Sequence, residues 1–288
     1  MTRFYADIHR KKDDSGYRIT YTTDGKTFKH TDSPTEMPVG PGDEVFVDVI
    51  PVVHTDGFVE LLRRGAEVYY LRRLTLIKKM RDKLGITSKS ARADVKTLMA
   101  IEEKWFKKVD ETYLIMRKKA STFRSLQKTL EQYKNRLEAA SGDEREDLLD
   151  MVKITEKKLH RQAKRIVEEA ERRYPAYSIL VDELGISGEN HILTQEALAE
   201  IMMYVDPRWG LRKTLNFFGL FKNTNKKKKK KYNGHARKAL ERLTITVYKI
   251  KPKDLTAKLQ KQLLRQIWLT IQQETQERLA GIPAQQQG

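Results

Sequence analysis

The sequence predicts an α/β segment followed by an all-α segment. In the first hundred residues, short apolar runs alternate with Gly, Pro and Asp-Gly turn signals, the pattern of strands joined by loops. From residue 113 onward, apolar residues recur at spacings of three and four, which predicts long helices. We expect four segments, namely 1–100, 101–172, 173–250 and 251–288.

The first segment shows the pattern of a mixed sheet. Strands are predicted at 4–9, 17–21, 26–30, 44–50 and 67–71. A short helix is expected to end at Gly65, which serves as its C-cap, and a basic helix follows at about 74–84. The predicted order begins with hairpin strands and continues with strand, helix, strand and helix. An RNase H-like sheet has this order, so this fold is expected here.

The second segment carries two apolar stripes separated by a break. The stripes cover 113–140 and 148–170, with a Ser-Gly-Asp sequence between them. This pattern predicts two long helices joined by a tight turn, either as an antiparallel hairpin or as a coiled coil with partners. Lys and Arg crowd the outer faces, which alone is typical of a solvated surface.

The last two segments are predicted to be helical. Leu184 to Gly188 resembles the turn of a helix-hairpin-helix motif, in which Gly185 and Gly188 would let backbone N–H groups approach a phosphate. Glycine C-caps in a plain helix–turn explain the same residues equally well. An amphipathic helix is expected at 254–279, before a polar tail. It would pack against the preceding helical segment or form the seam of a homo-oligomer, for which the helical hairpin is the other candidate.

The most basic stretch lies near the end of the third segment. An apolar Phe-Gly-Leu turn leads into a polar loop and then into a basic helix that starts near Gly234. A solvated, mobile tract is one interpretation of the lysine run in this loop. We instead expect contact with a nucleic-acid backbone, through Lys222, Lys226, Lys227, Lys228, Lys229, Lys230, Lys231, Tyr232, Arg237 and Lys238.

Composition indicates the partner and excludes several classes of site. Lys+Arg 57 against Asp+Glu 39 give a net charge of +18, which favours nucleic acid as the partner. A thermophile's charged surface is the alternative, although its ion-pair networks would be roughly charge-balanced. Cysteine is absent, so no disulfide or thiolate site can form. We expect a cytoplasmic protein, because no signal segment and no apolar run of about 18 residues is present.

Several short motifs occur in an order that resembles one known family. The motifs are Asp7 in the first strand, Asp48 in the fourth, segments 89–95 and 133–137, the turn 184–188, and the ends 218–220 and 234–237 of the basic stretch. Over about 1–245 the chain resembles the DEDD-type insertion-sequence transposases that include the Piv DNA invertases. Members combine a RuvC-like RNase H domain, a coiled coil and a helical transposase domain with a serine nucleophile. Those studied act with a structured bridge RNA.

The resemblance implies a metal site made of aspartates. Asp7, Asp48 and Asp94 would hold Mg²⁺ for phosphodiester chemistry. The family usually has glutamate where Asp48 stands and a further aspartate where Ala91 stands. Taken singly, each aspartate could equally cap a strand end or pair with a nearby Lys or Arg.

The serine nucleophile of the family has no counterpart in this sequence. Ser187 is the last serine, and Thr224 is the only hydroxyl between Leu220 and Tyr232. Thr224 would need a base to attack a phosphodiester, and a solvent-facing loop residue is the alternative for it.

These departures favour binding over catalysis. We expect a nucleic-acid-binding protein with impaired catalysis, retained to bind structured RNA or duplex DNA. One alternative is an active Mg²⁺-dependent DNA recombinase that uses Asp7, Asp48, Asp94 and Thr224. The other is a structural component of a ribonucleoprotein.

Overall fold

The computed structural model describes residues 1–11, 13–221 and 232–281. The chain divides into two compact units, Met1–Lys118 and Lys119–Gly288, and the boundary falls inside a long helix. We call them the sheet unit and the helical unit. The fold is mixed α and β, as predicted. Within the described ranges, no helix is long and apolar enough to cross a membrane.

The sheet unit is built on a six-stranded mixed sheet with the strand order β3-β2-β1-β4-β5-β6. β1 pairs antiparallel with β2 and parallel with β4, and β4 pairs parallel with β5. β2 pairs antiparallel with β3, and β6 pairs antiparallel with β5. The strands are β1 Arg3–Arg10, β2 Tyr17–Thr22, β3 Lys29–Thr31, β4 Glu44–Val47, β5 Glu67–Leu71 and β6 Phe106–Val109.

The third strand begins later than predicted. Residues 26–30 were the expected strand, but β3 starts at Lys29. The carboxylate of Asp24 accepts the N–H groups of Lys26 and Thr27, each at 2.8 Å, and this keeps both residues in the turn.

Two further differences concern β4 and β6. β4 ends at Val47, which is also the last residue of its ladders with β1 and β5. The predicted strand continued to Ile50. β6 was not predicted, because a four-residue Phe-Lys-Lys-Val sequence shows little alternation. Its lysines lie on an edge strand, where charge discourages further strand pairing.

Helices cover both faces of the sheet. Ala6 of β1 packs with Phe58 of the first helix in one core. Its neighbour Tyr5 packs on the opposite face, in a core that contains Leu98 of the third helix. Because side chains alternate along a strand, Asp7 lies on the face of Tyr5, toward the second and third helices. These helices are α1 Thr55–Arg63, α2 Thr75–Lys83 and α3 Ala91–Met99.

The helical unit begins within α4, and its next helix returns antiparallel. Lys119, near the start of this part of α4, pairs with Glu169 at 3.3 Å, whereas Lys134 pairs with Glu156 at 2.7 Å. The two predicted long helices and the break between them are confirmed. The helices of this unit are α4 Glu111–Ala139, α5 Gly142–Arg173, α6 Ala176–Glu183, α7 Ile192–Tyr204, α8 Leu211–Phe217, α9 Gly234–Val247 and α10 Ala257–Ala280.

The centre of the helical unit is α7. Every residue of α7 from Gln195 to Met203 is buried, and both α5 and α9 pack against it. α10 packs on α6, α8 and α9, with Leu263 and Ile267 fully buried. Most of the apolar stripe of α10 is therefore buried against the preceding helices, which is the first of the two interpretations of this helix.

Candidate functional site

The sequence-predicted acids Asp7 and Asp48 lie side by side in the sheet unit. The side chain of Asp7, in β1, is 9% exposed, and Asp48 directly follows β4. Ala6 pairs with Val47 in the parallel ladder. Asp7 and Asp48, which follow these two residues, are therefore neighbours. The Ile8 N–H also donates to Asp48 Oδ1 at 3.4 Å.

Asp94 reaches the same region from α3. This helix begins where the Ser90 hydroxyl accepts the N–H of Ala93, and its Leu98 is fully buried. α3 packs against β1 and β2, so Asp94 in its first turn lies near the strand that carries Asp7. We call Asp7, Asp48 and Asp94 the carboxylate cluster.

Burial and mutual repulsion make these carboxylates hard to ionise. Burial, followed by the charge of Asp94, raises the pKa of Asp7 to about 6, although His9 and Arg81 act in the opposite direction. Burial, followed by the charge of Asp7, raises the pKa of Asp48 to about 7. Burial also raises the pKa of Asp94, against the effect of Arg81. A site with more negative than positive charge favours a bound cation.

Two neighbours of the carboxylate cluster were not predicted. Arg81 of α2 places Nε 3.4 Å from Oδ1 of Asp94, and within the described part of the chain both atoms are buried without a hydrogen-bond partner. His9 Nδ1 lies 3.1 Å from Asp7 Oδ2. Because side chains alternate along a strand, the sequence alone could have predicted that His9 and Asp7 lie on the same face of β1. Arg81 was one of several basic residues on α2, and nothing in the sequence set it apart.

The donor chemistry of the cluster fits Mg²⁺. This ion takes carboxylate oxygens, often only one or two from the protein, and completes its shell with water and phosphate. A divalent ion would relieve the repulsion between Asp7 and Asp48. Among the residues that the structure describes, no group of three His, Asp or Glu side chains is placed to hold a metal ion. Asp94 Oδ1 faces Arg81 Nε at 3.4 Å, so Asp7 and Asp48 are the two carboxylates that could hold the ion.

In the helical unit, the two ends of the basic stretch lie together. Phe218 and Leu220 at its start are 0% and 3% exposed. Asn233 at its end donates its N–H to the Phe217 carbonyl at 2.9 Å. The Asn233 side chain also accepts two N–H groups of the first turn of α9 and thereby caps this helix. The described residues on either side of 222–231 are therefore fixed by apolar burial and by a helix cap.

The predicted binding residues of this stretch fall into two groups. Tyr232 is 50% exposed, and its ring lies so close to Gly219 that an added Cβ there would be 2.7 Å from Tyr232 Cγ. Arg237 pairs with Glu241 at 2.9 Å, whereas Lys238 is exposed. The other residues lie outside the described ranges, namely Lys222, Thr224, Lys226, Lys227, Lys228, Lys229, Lys230 and Lys231.

The turn between α6 and α7 has the geometry of a helix C-cap. Gly185 has a φ of 62°, and its N–H donates to the Asp182 carbonyl at 3.0 Å. The Ile186 N–H donates to the Val181 carbonyl at 3.1 Å, which completes a Schellman pattern. A phosphate contact by the Gly185 N–H would require this cap to open. Gly188, with a φ of 96°, lies just before the residues that lead into α7.

A second charged cluster lies inside the helical unit and was not predicted. Glu196 and Glu200, one turn apart on α7, are 0% and 2% exposed. Arg242 of α9 contacts Glu196 at 2.7 Å and Glu200 at 3.2 Å, and Arg124 of α4 contacts Glu200 at 2.5 Å. Burial raises the pKa of Glu196 to about 7, although Arg242 lowers it. We call these four residues the buried ion cluster.

No protein-family model matches this chain, and no curated protein matches it either. The geometry of the two units is therefore the basis for assigning a function. In the sheet unit, the predicted acids Asp7 and Asp48 are neighbours, and Asp94 lies near Asp7. In the helical unit, the flanks of the basic stretch form one surface around the start of α9.

Proposed function

We propose that the chain binds nucleic acid, as structured RNA or duplex DNA, and that it is built like the RNA-guided transposases that its motifs resemble. The observation that carries this proposal is that Asp7 and Asp48 lie at adjacent positions of β1 and β4, with Asp94 of α3 near Asp7. An acid on β1, one after β4 and one on a helix above them suit an RNase H-like, RuvC-like domain, as does the order β3-β2-β1-β4-β5. Clustered carboxylates of this kind suit the handling of phosphodiesters.

The residues of the cluster would have distinct roles. Asp7 and Asp48 would hold Mg²⁺, which when bound supplies positive charge to a phosphate group. The Ile8 N–H orients the carboxylate of Asp48. Arg81 lies 3.4 Å from Asp94 and partly offsets its negative charge.

Binding is favoured over catalysis by what the chain lacks. No serine follows Ser187, so the position of the family's nucleophile is not filled by serine. Ala91 stands where the family has a further acid, and the net charge of +18 is retained. A chain that lost catalytic groups but kept its cations is suited to hold a nucleic acid rather than to cut it.

A salt titration tests the proposal. Fluorescence anisotropy with a DNA duplex and an RNA hairpin, between about 50 and 500 mM KCl, should show affinity that falls steeply with salt. Changing the lysines at 226–231 to glutamine should reduce the slope on duplex DNA by up to about 5. The matched control removes six cations from α5 instead, at Lys153, Lys157, Lys158, Arg161, Lys164 and Arg165. Affinity that does not change with salt would contradict the proposal.

An active Mg²⁺-dependent DNA recombinase is the second candidate. The observation that favours it is that the carboxylates of Asp7 and Asp48 are neighbours largely removed from solvent, so that burial and repulsion from nearby carboxylates raise the pKa of both. A covalent protein–DNA adduct that forms with Mg²⁺ and the native RNA, and that disappears in Thr224→Ala, would establish this activity. The absence of both adduct and strand transfer under those conditions would exclude it.

A structural role in a ribonucleoprotein, as a homo-oligomer, is the remaining candidate. Three apolar side chains of α5 are exposed, namely Leu149 at 37%, Met151 at 49% and Ile154 at 48%. Exposed apolar residues on a helical hairpin suit a seam between copies of the chain. Light scattering should then report an oligomer that becomes a monomer in Met151→Lys/Ile154→Lys, and RNA should copurify with both forms.

A further inference from the structure

Aromatic and cationic side chains surround α8 in the helical unit. We call this set the aromatic patch, and it consists of Trp209, Arg212, Lys213, Phe217, Phe221 and Tyr232. Of these residues, only Tyr232 was predicted from the sequence to contact a ligand.

A cation lies against an aromatic ring at each end of α8. Lys213 Nζ is 4.4 Å from the centre of the Trp209 ring, which precedes the helix. The guanidinium of Arg212 is 4.9 Å from the centre of the Phe221 ring, which follows it. Phe217, the last residue of α8, has its ring centre 5.4 Å from that of Trp209. The rings and cations therefore form two groups around α8, one of Lys213, Trp209 and Phe217 and one of Arg212 and Phe221.

The helical unit supports the aromatic patch from beneath. The Trp268 side chain of α10 donates its Nε1–H to the Trp209 carbonyl at 2.8 Å. Thr214, on the inner side of α8, is 0% exposed. The Tyr232 ring lies against Gly219, where no side chain intervenes. Rings that are already held in place lose little conformational freedom when a ligand binds.

Two of the rings remain open to solvent. Phe221 is 37% exposed and Tyr232 is 50% exposed, although burial of large aromatic rings stabilises a folded protein. Arg212 and Lys213 are also exposed, and in the described part of the chain neither has an ion pair with an acidic side chain. Exposed rings beside unneutralised cations are typical of an interaction surface for an anionic, planar ligand.

Unpaired nucleotides match this combination better than duplex does. A base in a single strand, loop or bulge exposes its flat face, which stacks on aromatic rings, and its phosphate attracts the neighbouring cations. In a continuous duplex the faces of the bases are covered by their neighbours, so the rings would find no partner. An acidic protein would satisfy Arg212 and Lys213 but would not require exposed rings.

We infer that the aromatic patch binds unpaired nucleotides, with Phe221 and Tyr232 stacking on bases and Arg212 and Lys213 contacting the adjoining phosphates. This inference rests on the proposed nucleic-acid binding and adds the class of ligand. It selects structured RNA with loops or bulges, or single-stranded DNA, over uninterrupted duplex.

The test compares two probes on the full chain. One probe is a single strand of about 20 thymidines and the other a blunt duplex of the same length. In Phe221→Leu/Tyr232→Leu, affinity for the single strand should fall at least tenfold, since each stacked ring contributes roughly five- to hundredfold. Affinity for the duplex should change less than twofold. Tyr232→Phe keeps the ring and should keep the affinity for both probes.

The outcomes separate this inference from the proposed function. Ile179→Ala, at a side chain 45% exposed in the same unit, is the control for loss of exposed apolar surface, and circular dichroism checks the fold. Equal loss on both probes, or no loss on the single strand, would overturn the stacking role alone. An unmodified chain that binds the duplex but not the single strand would do the same. An unmodified chain that binds neither probe at low salt would overturn the proposed function as well.

Discussion

Each unit contains a cluster of carboxylates removed from solvent, but only the cluster of the helical unit balances their charge. The buried ion cluster sets two arginines against two glutamates, with contacts between 2.5 and 3.2 Å. The carboxylate cluster of the sheet unit sets three aspartates against one arginine at 3.4 Å and one histidine at 3.1 Å. In the buried ion cluster the positive charges therefore balance the negative charges. In the carboxylate cluster the negative charges are in excess.

The difference separates a structural cluster from a functional one. A balanced buried network fixes three helices relative to one another and offers nothing to a ligand. An excess of buried carboxylates lowers the stability of the folded chain, and such strain is typically retained where a cation or substrate relieves it. Substitutions in the two clusters should therefore change stability in opposite directions.

The largest effect is expected from Arg242→Met. This substitution leaves fully buried Glu196 without its cation, which should lower the free energy of unfolding by about 3–5 kcal/mol. Glu196 already has a pKa raised to about 7 by burial, so the folded chain keeps a proton that the unfolded chain releases. Stability should thus fall as pH rises toward 7, and fall further in the variant. Hydrogen exchange of α7 and α9 peptides would localise the loss.

The control for this prediction is an exposed ion pair in the same unit. Lys134 contacts Glu156 at 2.7 Å, with side chains 52% and 42% exposed. Lys134→Met should cost less than about 1 kcal/mol, because water and salt screen this pair. If Arg242→Met costs no more than Lys134→Met, the buried ion cluster is not a structural element.

Asp48→Asn should raise the free energy of unfolding, whereas Arg242→Met should lower it. Removing one repelling carboxylate should stabilise the sheet unit by about 1–3 kcal/mol at pH 8. The pKa of Asp48 is raised to about 7, so the stability of the unmodified chain should fall as pH rises from about 4 to 7, where only the folded chain keeps the proton. The variant should show a flatter pH profile, measured by hydrogen exchange of β1 and β4 peptides. It should also lose any rise in Tm on adding Mg²⁺.

A matched aspartate outside the cluster gives the reverse result. The carboxylate of Asp24 accepts the N–H groups of Lys26 and Thr27, and these hydrogen bonds lower its pKa. Asp24→Asn should therefore destabilise the β2–β3 turn rather than stabilise it. Destabilisation by Asp48→Asn as well would mean that its carboxylate is an ordinary structural group.

Periodic features of the fold could be predicted from the sequence, and contacts between distant residues could not. The apolar stripe of α5 and the alternation of β2 are local patterns, and both elements formed where expected. β6 was missed because its pairing with β5 is set by the rest of the sheet rather than by its own four residues. The start of β3 was misplaced because it depends on one side chain, that of Asp24.

The same limit applies to the candidate site. Asp7 and Asp48 could be named because their strand positions are local and the motif order resembles a known family. Arg81 could not, because its contact with Asp94 depends on how α2 and α3 pack. Glu196 and Glu200 stand four residues apart on a helix, a spacing typical of solvated surfaces, and only the packing of α7 shows their burial.

The smallest effect, and the sharpest test of the contrast between the clusters, is expected from Arg81→Gln. Arg81 is the one arginine in ion-pair contact with the carboxylate cluster among the described residues, and its side chain is 17% exposed. Without Mg²⁺, its loss should cost about 1 kcal/mol, because Asp94 then repels Asp7 without compensation. With Mg²⁺ the cost should shrink, so the rise in Tm on adding Mg²⁺ should be larger in Arg81→Gln than in the unmodified chain. Arg81→Lys keeps the charge and should behave like the unmodified chain. If Mg²⁺ raises the Tm of neither Arg81→Gln nor the unmodified chain, Arg81 is the permanent cation of the site, and the carboxylate cluster is a structural element like the buried ion cluster.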